Sequence, residues 1–391
     1  MDQIEELLTR AVANIIPSKN RLEEKLKSGE KLNVYLGIDP TAIKIHLGHA
    51  VPLRKLQRFA DLGHNVTFLI GDFTALVGDT SDKDSERPIL TKEEIEENFK
   101  TYKSQAQKLL NFSKVNIRYN SEWLSKLTYA DVFKLKQQFS LNDFISRELI
   151  KKRLEDGKSI RLDETEYPIM QGYDSYFMDT DLQIGGTDQT FNMQAGRILQ
   201  RKLRNKESFI LATEFLMGTD GRKMSKSWGN AIWLDDTPFE MFRKIMAIND
   251  DQILNYFNLA TNTPIDKIPT EEEIEQNPLN IKKRLATAIV SELHSEGDAK
   301  KAEKEFERVV QKGELPEKVA EITVNEDGVI DDDFLVEHGL ASSKSDAKRL
   351  FDQNGVSLNG TGIKLGEGFA ANSGEDLILS VGKKVVKLNV T

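Results

Sequence analysis

The sequence predicts an α/β protein: a parallel sheet covered by helices, followed by an α-helical domain and a small α+β domain. Three observations carry this reading. From Lys31 to about Met217, short β-rich runs alternate with helical stretches, the order that lays helices on the faces of a parallel sheet. Near Trp233 the β-rich runs stop, and they return only after about Val329. A chain of 391 residues, 39% of them hydrophobic, also has enough material for two or three separate cores. The expected boundaries are 1–232, 233–320 and 328–391.

In chain order, the runs at 33–36, 66–70, 115–119, 182–184 and 209–211 are expected as strands. Between the first two, residues 46–62 carry Ala50, Leu53, Leu56 and Phe59 at helical spacing, with Gly63 placed to end the helix. Pro52 is expected in its first turn, where a missing N–H costs nothing. Such a strand, loop and helix N-terminus form a ligand site, because unpaired N–H groups point beyond the strand end. The stretches 238–247, 278–294 and 298–312 read as helices, and 312–327 as a linker. The tail holds one amphipathic helix, 343–353, and short strands broken by Asn354, Gly355, Asn359, Gly360 and Gly362.

Composition narrows the function classes. Met1 to Leu8 place three acids before any apolar run, and no stretch approaches the roughly 18 apolar residues of a membrane span. A soluble, cytoplasmic protein is expected, with no membrane partner. Zero cysteines exclude disulfides, thiolate metal sites and a cysteine nucleophile, and five histidines leave little for a structural metal. A net charge of -9 argues against a surface coated by nucleic acid, so RNA would meet local basic patches only.

Two motifs carry chemistry. His46-Leu47-Gly48-His49 follows Gly37, Ile38, Asp39, Pro40 and Thr41 where the first strand hands over to its helix. Histidines three apart share a helix face, and Gly48 permits close approach of a purine or ribose. Taken alone, a His-x-x-His pair is more often a surface or half-ligand pair; its placement favours a site. The second motif is Lys223-Met224-Ser225-Lys226-Ser227, preceded by Gly218, Thr219, Asp220 and Gly221. Two lysines on a glycine-flanked loop suit a task in which charge grows on a departing polyphosphate.

At these residues the chain resembles the class I aminoacyl-tRNA synthetases, whose signatures are written HIGH and KMSKS. The first stands here as HLGH and the second is complete. The resemblance implies a Rossmann-type catalytic domain that binds ATP, with magnesium accompanying the nucleotide and no dedicated metal ligands. It implies that His46 and His49 touch the phosphates and that Lys223, Lys226 and Ser227 meet the pyrophosphate. Gly37, Asp39, Thr41, Gly48, Gly186, Asp188 and Met224 would line the nucleotide.

The amino acid is read from Tyr167, Gln171 and Asp174, which fall on one helix face as a polar stripe. By periodicity alone such a stripe is either solvated surface or pocket lining. The arrangement is similar to that of tyrosyl enzymes, which implies that Asp174 and Tyr35 receive the phenol while Tyr167, Gln171 and Asp79 hold the ammonium group. The run Gly185 to Gln189 resembles the family's GGxDQ element, implying Asp188 on the ribose and Gln189 near the substrate. A pocket built around a substrate hydroxyl rejects the analogue lacking it, a behaviour for which tyrosyl enzymes are the standard illustration. No editing domain is therefore expected. A tryptophanyl enzyme and a non-catalytic RNA-binding relative are the alternatives.

In the tail, Ser342 and Ser343 are cap candidates, and Lys344, Lys348 and Arg349 lie on adjoining turns. The order resembles a small RNA-binding domain shared by bacterial tyrosyl enzymes and pseudouridine synthases. With nine acids against seven bases from residue 328, binding would be confined to that helix face. The resemblance further implies tRNA(Tyr) as partner and a homodimer.

Overall fold

The computed structural model describes residues 2–40, 43–79, 91–145, 147–225, 228–312, 320–324, 327–370, 376–382 and 384–390. The chain divides into two compact units, Met1–Lys300 and Lys301–Thr391. Among the described residues no helix is long and apolar enough to cross a membrane.

The first unit is built on six strands: β1 (Val12–Ile16), β2 (Asn33–Ile38), β3 (Asn65–Ile70), β4 (Val115–Tyr119), β5 (Leu182–Gly186) and β6 (Phe209–Thr213). They lie in the order β1-β6-β5-β2-β3-β4. β2 to β6 are mutually parallel where they pair, and all five stand where the sequence places strands. Burial on both faces explains their near-continuous apolar character; all five residues of β6 are buried. The sheet is not purely parallel, however. β1 adds an antiparallel edge against β6, and its mixed sequence, Val-Ala-Asn-Ile-Ile, has no alternation that would announce it.

The order reverses at β2. The chain runs outward through β3 and β4, then returns to the other side of β2 as β5 and β6, which opens a crevice beyond the carboxyl ends of β2 and β5. The helix Leu47–Asp61 leads from β2 to β3, burying Ala50, Leu53, Leu56 and Phe59 as its periodicity requires. Gly63, at φ +85°, ends it: Gly63 N–H reaches Ala60 O and His64 N–H reaches Phe59 O, the paired bonds of a left-handed helix stop. Pro52 corrects the expectation, since it lies inside the helix, in its second turn. Its ring leaves the Gly48 carbonyl without the usual amide donor, beside the crevice that both residues line.

Three side chains of this helix anchor it. Arg54 pairs with Glu292 at 2.5 Å, Lys55 Nζ donates to Leu7 O at 2.6 Å, and Arg58 pairs with Glu6 at 2.7 Å. The helical region, Pro238–Met246, Ile253–Ala260, Glu271–Gln276 and Pro278–Leu293, is joined to the sheet within this unit by the first of these pairs and by Arg10. The Arg10 guanidinium donates to the carbonyls of Phe257, Asn258, Thr261 and Thr263, serving acceptors left open at a helix end.

The second unit has strands β7 (Ala320–Val324), β8 (Asp327–Ile330), β9 (Val356–Leu358), β10 (Thr361–Gly362), β11 (Glu367–Ala370), β12 (Asp376–Val381) and β13 (Lys384–Val390). Five form a sheet in the order β10-β9-β12-β13-β7, and β8 pairs with β11. Asn359 and Gly360, both at positive φ, make the two-residue turn between β9 and β10. The helix Lys344–Asp352 is capped by Ser343, whose hydroxyl accepts from Asp346 N–H, and buries Ala347 and Phe351. The stretch expected as linker is partly structure: β7 pairs in parallel with β13, while residues 313–319 and 325–326 lie outside the described residues.

Candidate active site

Beyond the ends of β2 and β5 lies a cleft of about 860 Å³. His46 caps the helix that borders it. Its backbone N–H donates to His49 Nδ1 at 3.3 Å, and the two rings stack at 3.8 Å with an interplanar angle of 23°. Gly48 is required here, because a Cβ on it would stand 2.9 Å from His46 Nδ1. His46 is not a cation at physiological pH. Burial, then the neighbouring His49 and Lys223 charges, lowers its pKa to about 2. The expected pair of cationic clusters is thus corrected at His46, a neutral imidazole stacked on His49. His46 Nδ1 is buried without a hydrogen-bond partner.

The second motif is brought alongside by its own hairpin. Met217 bridges to Lys223, and Gly218 N–H donates to Arg222 O at 2.7 Å. A Cβ on Gly218 would lie 2.4 Å from Asn230, whose amide holds Asp220 Oδ1 at 2.7 Å and accepts from Ser225 N–H at 2.9 Å. The chain then pairs with the entry to the first motif: Leu47 N–H donates to Ile232 O at 2.7 Å, and Leu234 N–H to Ile45 O at 2.9 Å. Two segments far apart in sequence are thereby stitched together. Lys223 Nζ sits 3.1 Å from Asp188 Oδ2 and 4.3 Å over the Phe215 ring. Lys226, Ser227 and Thr41 lie outside the described residues.

The aromatic half of the cleft rests on the helix Tyr167–Phe177, whose Tyr167, Gln171 and Asp174 all line the cavity. The polar stripe is therefore pocket lining and not solvated surface. Tyr167 Oη donates to Asp39 Oδ2 at 2.9 Å, and Gln189 Nε2 donates to Asp79 Oδ2 at 2.7 Å. Asp174 is 2% exposed. Trp123 Nε1 donates to its Oδ1 at 2.7 Å and Asn120 Nδ2 to its Oδ2 at 3.2 Å. Burial pushes this carboxyl up to about 8, against the pull of those two donors. Tyr35, also buried, donates its hydroxyl to Gln183 Oε1 at 3.1 Å. Burial, and then the charge of Asp174, holds its phenol well above the ordinary tyrosine range. Gly37, Asp39, Gly48, Gly186, Asp188 and Met224 line the same cleft. A Cβ on Gly186 would stand 2.5 Å from Asp188 Oδ1.

Over residues 27–311 the sequence matches the family described as tRNA synthetases class I (W and Y). It is 42% identical over 383 residues to the tyrosine–tRNA ligase of Thermotoga maritima, covering 97% of this chain and 95% of that one. It is 44% identical over 357 residues to tyrosine–tRNA ligase 2 of Vibrio cholerae, covering 90% of each. The chain belongs to the tyrosyl branch of the class I tRNA synthetases. Among solved structures, the tyrosyl-tRNA synthetase of Archaeoglobus fulgidus complexed with L-tyrosine aligns with TM-score 0.60 at 25% identity, over 77% of this chain and 100% of that one. The C-terminally truncated mitochondrial tyrosyl-tRNA synthetase of Aspergillus nidulans aligns with TM-score 0.66 at 22% identity, over 78% and 94%, a likeness of fold.

Sequence reasoning missed two residues that line this synthetase pocket, Asn120 and Gln183, and one that braces Asp174 from behind, Trp123. Asn120 follows β4 directly and also accepts from Phe73 N–H at 2.9 Å, so it ties two loops to Asp174. Its position at a strand end was the one available signal. In the second unit the three cations expected to face RNA are each paired with an acid. Lys344 meets Asp333 at 2.5 Å, Lys348 meets Asp332 at 3.6 Å and Arg349 meets Asp346 at 2.6 Å, all with exposed cationic side chains.

Proposed function

We propose that the chain is a tyrosine–tRNA ligase that selects its amino acid at Asp174 and activates it between the two signature motifs. A carboxylate oxygen of tyrosine attacks the α-phosphorus of ATP, the bond to the β-phosphate breaks, and pyrophosphate leaves. A terminal ribose hydroxyl of tRNA(Tyr) then attacks the tyrosyl carbonyl and AMP departs. The nucleophiles belong to the substrates, so the protein's task is positioning and electrostatic stabilisation.

The observation that carries the substrate is the buried acceptor Asp174, held by Trp123 and Asn120 next to Tyr35. A phenol adds a hydrogen bond at this carboxyl, whereas a phenylalanine ring forfeits it. In this reading Tyr167, Gln171 and Asp79 receive the ammonium group, with Gln189 holding Asp79 in place. Asp188 meets the ribose. The neutral His46, with His49, hydrogen-bonds phosphate oxygens, and Lys223, Lys226 and Ser227 follow the pyrophosphate. Gly37, Asp39, Thr41, Gly48, Gly186 and Met224 border the nucleotide.

Magnesium is proposed to arrive with ATP, held by phosphate oxygens. Among the described residues the one group of three acids spaced for a single ion is Asp331, Asp332 and Asp333, outside this cleft. The three-part division 1–232, 233–320 and 328–391 is proposed as catalytic, anticodon-region and RNA-binding parts, with Lys344, Lys348 and Arg349 on RNA. A cytoplasmic homodimer is the proposed state.

The test is ATP–pyrophosphate exchange with purified chain. Tyrosine should drive exchange, and tryptophan and phenylalanine should not. Exchange driven by tryptophan would favour the tryptophanyl alternative, and none with any amino acid would favour a non-catalytic relative.

A further inference from the structure

We propose that Gln183 is a positioning residue for amino-acid selection: it takes the proton of the Tyr35 hydroxyl, so that Tyr35 shows the guest an acceptor. The proposal rests on the tyrosine reading of the pocket. Tyr35 and Gln183 are direct register partners on the parallel strands β2 and β5. Tyr35 Oη lies 3.1 Å from Gln183 Oε1, and Gln183 Nε2 lies 2.8 Å from the Met193 carbonyl.

A peptide carbonyl can only accept, so the nitrogen end of the amide must face Met193. The oxygen end then faces Tyr35, and Tyr35 must donate. A hydroxyl has one proton, and here it is committed. Gln183 is 1% exposed and has no room to turn. A Cβ on Gly196 would stand 2.7 Å from its Oε1 and 2.8 Å from its Nε2, which shows how closely that helix backbone lies against the amide.

The consequence concerns what the pocket demands of a guest. Asp174 is close enough for its charge to act on Tyr35. Were the Tyr35 proton free, the hydroxyl could turn it toward other acceptors in the pocket and leave no fixed acceptor for the guest. With the proton held by Gln183, the Tyr35 oxygen presents a lone pair, which a guest hydroxyl can fill and a bare ring cannot. Tyrosine brings that hydroxyl and phenylalanine does not. Gln183 thus makes the absence of a substrate hydroxyl costly without touching the substrate.

The test is a double-mutant cycle read as the ratio of kcat/KM for tyrosine over phenylalanine in pyrophosphate exchange. Gln183→Met keeps the side-chain length and removes both bonds, and should lower the ratio about tenfold. In a Tyr35→Phe background the same change should alter the ratio less than about twofold, because the proton it controls is gone. Equal losses for both substrates, or the same drop in both backgrounds, would overturn the proposal. Should Gln183→Met fail to fold, Gln183→Glu decides: its neutral acid can accept from Tyr35 and donate to Met193, so the ratio should be kept, and its loss counts against the proposal. Wild-type exchange that ignores tyrosine would instead sink the substrate reading itself.

Discussion

Asp174 is a carboxyl pulled in two directions, and its environment turns that conflict into a measurable pH dependence. Burial favours the protonated form, while the Trp123 and Asn120 donors favour the charged one; burial dominates, giving a value of about 8 against 3.8 for the ordinary group. The unfolded chain releases this proton above about 3.8, but the folded chain keeps it until about 8. Stability from this group is therefore full at acid pH and lost as pH rises between those values. Asp174→Asn cannot titrate, so its melting temperature should rise relative to wild type from pH 5 to pH 8.5. Parallel profiles in calorimetry would contradict the assignment. Asp174→Ala should lower the tyrosine-to-phenylalanine ratio by a factor on the order of 10–100, since it removes a buried acceptor; an unchanged ratio would take Asp174 out of the pocket. Asp174, Tyr167 and Gln171 stood out as a polar stripe at helical spacing, and the resemblance to tyrosyl enzymes pointed that stripe at a pocket. Trp123, Asn120 and Gln183 did not, since each acts through a hydrogen bond to a residue 51, 54 or 148 positions away.

At the scale of elements, β-rich runs and periodicity located β2 to β6 and the signature helix, because these pieces owe their form to burial of runs that can be read locally. Where form depends on a distant partner, the reading stopped short. β1 is a strand because β6 offers it an edge, and β7 is one because β13 does. Pro52 is tolerated within a helix fastened by Arg54, Lys55 and Arg58. The tail helix shows what charge counting along the sequence conceals: its cations sit beside Asp332, Asp333 and Asp346. Exposed pairs of this kind are weak and screened by salt, so RNA phosphate can compete for the lysines. Replacing Asp332 and Asp333 by Asn should free Lys344 and Lys348 and lower the KM for tRNA about two- to fivefold at low salt. Pyrophosphate exchange should not change. A KM for tRNA indifferent to the replacement would separate this helix face from RNA.

At the scale of the molecule, the site follows from topology. The reversal of strand order at β2 opens the crevice, the hydrogen bonds between residues 45–47 and 232–234 draw the two motifs to its rim, and the helix Tyr167–Phe177 supplies its polar floor. No single stretch of sequence contains this arrangement, yet each stretch contains a part: a motif at a helix N-terminus, a glycine-bounded loop, a polar stripe. The helical region is fixed to the same unit through Arg10 and Arg54, each buried and each bonded to partners more than 200 positions away. The central claim is that one cleft holds a phenol at Asp174 and a polyphosphate between His46 and Lys223. A crystal structure of the chain with tyrosine and a non-hydrolysable ATP analogue tests it most directly. The account predicts the phenol oxygen within hydrogen-bond distance of Asp174 and the phosphates against His46 and Lys223; a tyrosine ring bound elsewhere, with Asp174 still engaged only by Trp123 and Asn120, would contradict it.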